Sequence, residues 1–150
     1  MTVLALGNTV LVTQHITPVS LTASAGTPTA QDLKGSTWGI ININMGVKAG
    51  TTSIYTFTVE ESADNAAFTT AKKWVDGEVS TTDADYAVTA TPGTTDDQNV
   101  MIAFDTGHLE RYVRVTCVLS GGGSDAFPVA VTIITMPNYT GDATNPNFTI

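Results

Sequence analysis

Tyr55-Thr56-Phe57-Thr58-Val59-Glu60 sets large apolar side chains at odd positions and Thr or Glu at even ones, the period of a sheet strand with one dry face and one wet face. The same period returns downstream, where Val113, Val115, Cys117 and Leu119 oppose Tyr112, Arg114 and Thr116, and again in Val129, Val131 and Ile133. Those last two segments are expected to pair as a hairpin. Their connection, Ser120-Gly121-Gly122-Gly123-Ser124-Asp125, has the glycines a tight turn uses. A phosphate cradle would need a following helix and a Lys, whereas Ala126-Phe127-Pro128-Val129 enters a strand.

Outward from this core the pattern continues. Val100, Ile102 and Phe104 share a face opposite Met101 and Ala103, and Tyr86, Val88 and Ala90 line one side of residues 85–90. Residues 37–45 break parity: Trp38 and Ile40 fall on one side, Ile41, Ile43 and Met45 on the other. A bulge near Gly39, or a strand covered on both faces, reconciles them. Residues 9–13 and 18–23 read as two short strands flanking Gln14-His15-Ile16-Thr17. Residues 60–74 have tolerable helix propensity but no apolar stripe at helical spacing. Ser62-Ala63-Asp64-Asn65-Ala66 therefore reads as the turn of a hairpin between 55–60 and 68–74.

About eight or nine short strands, spaced roughly 10–15 residues apart, predict an all-β chain forming a single antiparallel β-sandwich, jelly-roll or Ig-like, with extended N- and C-terminal arms. Residues 1–35 form the N-terminal arm and first short strands, 36–136 the sandwich core, and 137–150 an extended tail. A chain of 150 residues with 42% hydrophobic and 13% charged residues suits one folded domain.

The formal charge is −8, from 6 Lys and Arg against 14 Asp and Glu. Affinity for a polyphosphate comes from clustered cations, and Lys72-Lys73 and Arg111 with Arg114 are pairs rather than patches. Neither nucleic acid nor a membrane is expected as a partner. The opening Met1-Thr2-Val3-Leu4-Ala5-Leu6-Gly7 lacks a basic region, so no export signal is expected.

Candidates for chemistry are few, and no enzyme activity, cofactor or metal is expected. His15 and His108 are widely separated in sequence, no Gly-x-Ser-x-Gly elbow is present, and both read as solvated histidines of connecting segments. Cys117, the single cysteine, sits in an apolar run and reads as a small core residue. Asp83-Ala84-Asp85, Asp96-Asp97 and Asp64-Asn65 read as turn residues rather than as the spaced ligands of a calcium loop. Trp38 and Trp74 suit either packing, in the core or against another subunit, or stacking on a sugar ring, with packing preferred. In the aperiodic tail, Tyr139, Phe148 and Ile150 are the side chains able to anchor to a partner.

The run Phe57-Thr58-Val59-Glu60-Glu61-Ser62-Ala63-Asp64-Asn65-Ala66-Ala67-Phe68-Thr69 resembles a hairpin of small virion structural proteins of tailed bacteriophages. Arg111-Tyr112-Val113-Arg114-Val115, followed by the Gly/Ser connection and residues 129–135, is similar to their closing hairpin. The resemblance spans residues 35–135. It implies a capsid decoration, or cement, protein: a non-enzymatic homotrimer made in the host cytoplasm, seated on the outer capsid surface and clamping neighbouring major capsid subunits. The alternative from another class is a receptor- or glycan-binding module of a tail or baseplate, working through Trp38 or Trp74.

Overall fold

A computed structural model describes residues 11–22, 28–47, 54–72, 74–75, 78–79, 87–90, 98–120 and 126–137. The strands are β1 (Leu11–Leu21), β2 (Gln31–Asp32), β3 (Ser36–Met45), β4 (Ile54–Ser62), β5 (Thr69–Thr70), β6 (Trp74–Val75), β7 (Glu78–Val79), β8 (Ala87–Ala90), β9 (Gln98–Asp105), β10 (Tyr112–Ser120) and β11 (Phe127–Pro137). A 3-10 turn at Thr106–His108 is the one helical element among the described residues.

The expected β-sandwich is what forms. One sheet has four strands in the order β1-β11-β3-β9; the other runs β2-β10-β4-β5, with β8 also on β4. All pairings are antiparallel. Among the described residues, strand β6 pairs only with β7.

The inner faces follow the odd–even pattern of the sequence. Tyr55, Phe57 and Val59 from β4 join Val113, Val115 and Cys117 from β10 in meeting Ile41, Ile43, Val131 and Ile133 of the four-stranded sheet, and all are essentially inaccessible to solvent. Burying each such aliphatic or aromatic side chain contributes about 1.5–3 kcal/mol against leaving it wet. Phe127 bridges the layers: its ring stacks on Tyr55 with centroids 4.7 Å apart and tilts against Phe57 at 6.2 Å. The Tyr55 hydroxyl donates to the Leu21 carbonyl at 3.1 Å, so a buried phenol keeps its partner. Cys117 is a core residue, as its setting suggested.

Three expectations are corrected. Strands β10 and β11 do not pair: β10 lies between β2 and β4, β11 between β1 and β3, so the glycine-rich connection carries the chain from one sheet to the other. Two strands with one apolar face each can bury those faces by sitting in opposite layers as well as side by side. The two short strands read at 9–13 and 18–23 are one strand, β1, whose parity breaks are absorbed by register shifts between Gln14 and Ile16 and between Ile16 and Val19. Finally, β3 has no bulge at Gly39; its registers with β9 and β11 run unbroken from Trp38 to Met45. Its inner face carries Gly39, Ile41, Ile43 and Met45, leaving Trp38, Ile40, Asn42 and Asn44 on the outer face.

Gly39 is glycine for want of room: a Cβ there would lie 2.5 Å from Phe104 Cζ and 2.7 Å from the Ile134 carbonyl oxygen. The β4–β5 hairpin forms as expected, with Glu60 opposite Thr70. In its turn, Asp64 Oδ1 accepts from the Ala66 and Ala67 amides at 2.9 and 3.2 Å and from the Ser62 hydroxyl at 3.0 Å. These bonds hold the Asp64 carboxyl below its ordinary range, the Ala66 amide contributing most. Asn65 takes φ +62°, a left-handed conformation that Asn tolerates better than most residues.

Candidate functional site

The outer faces of the two sheets differ in chemistry. On the sheet containing β4 and β10, outward positions are mostly polar, with Val118 and Ile54 as apolar exceptions. Arg114 Nε lies 2.7 Å from Glu60 Oε2 and its guanidinium sits 3.8 Å over the Phe68 ring, while Thr58 and Thr116 stand opposite each other. At the edge, Arg111 grips Asp32 through two hydrogen bonds, 3.0 and 2.7 Å, which hold the Asp32 carboxyl below its ordinary range. That pair is largely exposed and contributes little to stability.

The four-stranded sheet is different. Residues directly opposite in an antiparallel ladder project to the same face, so the register fixes which side chains form a row. Val12 faces Ile134, Ile134 faces Ile40, and Ile40 faces Ala103: an apolar row across all four strands. The next row sets Met136, Trp38 and Asp105 side by side. Below the apolar row lies Met101, beside Asn42. Exposure is high for an apolar set: Val12 60%, Trp38 42% and Met101 70%. Ile40, Ile134 and Met136 are half-buried. At the far end of the same face Asn99 Nδ2 donates to Asn44 Oδ1 at 2.7 Å, beside a shallow, largely apolar depression bordered by Pro18, Ser20 and Pro128.

Of the residues expected to meet a partner, Trp38 is thus on this face. Trp74 belongs to β6, in a different sheet, and its side chain lies outside the described residues, as do Tyr139, Phe148 and Ile150. Asp83, Asp85, Asp96 and Asp97, Tyr86 and the glycine-rich connection also lie outside them. Sequence reading placed Ile40 on the side of Trp38, but did not name Val12, Ile40, Ile134 or Met136 as partner contacts. The available signal was apolar residues at both parities of one strand, visible in residues 38–45 and again in residues 129–136.

His15 is not the solvated histidine the sequence suggested. It sits at the first register shift of β1, between Gln14 and Ile16, half-buried, and its Nε2 accepts the Val115 amide of the opposite sheet at 2.9 Å. Burial first, and the nearby positive charge of Arg114 second, push its pKa down to about 4. A neutral ring is the form that accepts this bond. His108 is exposed in the 3-10 turn. Among the described residues, no three His, Cys, Asp or Glu side chains are grouped to hold a metal ion.

Compared with known protein families and curated proteins, the chain matches none.

Proposed function

We propose that this chain is a virion structural protein that decorates the outside of a phage capsid and cements neighbouring major capsid subunits, with the outer face of the β1-β11-β3-β9 sheet as the seat of the contact. The observation that carries the reading is a difference between the two outer faces: one is mostly polar and ion-paired, with Val118 as an exposed apolar residue, while the other presents Val12, Trp38, Ile40 and Met101 around one apolar row. Contiguous exposed apolar surface of this kind marks an association surface. Of the segments that resemble phage virion proteins, residues 57–62 and 112–115 are neighbours in the β4–β10 ladder, while residues 129–135 lie in the other sheet. A clamp of this type works by mass action, since whatever binds the assembled shell and not its loose subunits stabilises the shell.

The test mixes purified protein with capsids stripped of decoration and measures bound stoichiometry and capsid melting temperature. Saturation at a lattice-matched ratio with raised melting is expected, with Trp38→Ala weakening binding about tenfold, or ~1.4 kcal/mol. Absence of binding, or binding indifferent to Trp38→Ala, overturns the reading.

An exposed indole beside the Asp105 carboxylate also fits stacking on a sugar ring. Saturable binding to host polysaccharide, abolished by Trp38→Ala, would move the assignment to a receptor-binding module.

A further inference from the structure

The four-stranded sheet has two edges, and they are built differently. At the β1 edge, two register shifts, Pro18 and the inward reach of His15 to Val115 interrupt any straight run of backbone. Bulges and prolines are the ordinary means of stopping a sheet from adding strands. Strand β9 has none of these. It pairs with β3 from Gln98 to Asp105 without a register shift, and Gln-Asn-Val-Met-Ile-Ala-Phe, residues 98–104, contains no charge and no proline. Among the described residues nothing pairs with its other side. Its inward side chains Val100 and Ile102 are only partly buried against the core, and its outward Met101 is 70% exposed.

We propose that β9 is a self-association edge: two copies of this chain pair through antiparallel β9 strands about a two-fold axis, joining two four-stranded sheets into one. The occupant follows from charge and register. Each copy carries −8, so contact between copies is least repulsive along an uncharged strip, and residues 98–104 are one. A two-fold axis normal to the sheet must lie between one residue and its own copy, because opposite residues share a face. Centred on Ile102, the pairing sets Val100 against Phe104 and Met101 against Ala103, inner with inner and outer with outer. It also sets Asn99 against Asp105, an amide donor facing a carboxylate, whereas centring on Met101 would bring Asp105 against Asp97. Pairing β9 with the β1 edge of another copy would build rings or open filaments, and the bulged β1 edge opposes it. The inference rests on this edge and does not require the capsid reading.

The test is solution mass against concentration for the full chain, by sedimentation equilibrium, with no capsid present. The wild type is expected to reach a dimer and stop. M101K/A103K and M101E/A103E change only exposed outward positions, so a cooperative unfolding transition, close to that of the wild type at concentrations where the wild type is monomeric, confirms that each variant folds. Each double variant places like charges directly opposite and should associate at least about tenfold more weakly; mixing the two should restore the dimer. On association, amide exchange should slow within residues 99–105. A wild type that stays monomeric throughout, a trimer by mass, or double variants that associate like the wild type would overturn the proposal.

Discussion

Gly39 is where a single missing methyl group governs a layer. Its inner-face position is filled by the Phe104 ring from the neighbouring strand, and a Cβ would meet both that ring and the Ile134 carbonyl. The ring has some freedom to tilt; the carbonyl belongs to the ladder and has little. Gly39→Ala is therefore expected to destabilise the protein by about 1–3 kcal/mol, the usual cost of overpacking, read from the urea midpoint at constant slope. Gly39→Ala in a Phe104→Leu background should cost less, because the closest contact is then removed. None of this was visible in the sequence, where Gly39 is simply the residue at which parity becomes ambiguous. The inner positions of β4 and β10 were legible residue by residue, since alternation in a half-wet strand depends on that strand alone.

At the scale of elements, β1 shows what a bulged edge strand can do besides ending a sheet. Its register shifts turn His15 toward the opposite layer, where the imidazole accepts a β10 amide. The unfolded chain protonates His15 near 6.5, the folded protein near 4. Between these values the unfolded state binds more protons, so this contribution is fully present above pH 6.5 and is lost as the pH falls toward 4. Glu61, pushed up chiefly by burial, works in the opposite sense, so the comparison has to be made against a variant. His15→Ala, which leaves the Val115 amide without its acceptor, is expected to cost about 1–3 kcal/mol near neutral pH. The cost should shrink between pH 6.5 and 4; a constant difference in chemical unfolding across that range would refute the linkage. Local sequence could not show this bond. The residues around His15 suggest a connecting segment, and only the layer arrangement brings position 115 within reach. The β10–β11 misassignment has the same origin: a glycine-rich link states that the chain turns, not whether it turns within a sheet or between two.

For the molecule as a whole, the class of fold was legible because many one-faced strands must cover one another somewhere. The order of the strands was not, because hydrogen-bonded ladders are made by backbone atoms that every residue shares. The candidate face was half-legible: Trp38 stood out as a large ring, while Val12, Ile40, Ile134 and Met136 became neighbours only through registers linking residues far apart in the chain. The pairing of the outermost described strands has a mechanical consequence. Strand β1 starts at Leu11 opposite Thr135, next to where β11 ends, and Leu21 lies opposite Phe127 at the other end of that ladder. Tension applied through residues 11 and 137 loads the β1–β11 hydrogen bonds one after another, as a zipper is opened. Tension applied through residues 11 and 126 loads them together in shear. In single-molecule pulling the first geometry is expected to yield at clearly lower force than the second, and equal forces would mean that another ladder bears the strain. A protein held through residues 11 and 137 would thus give way first along the seam between β1 and β11.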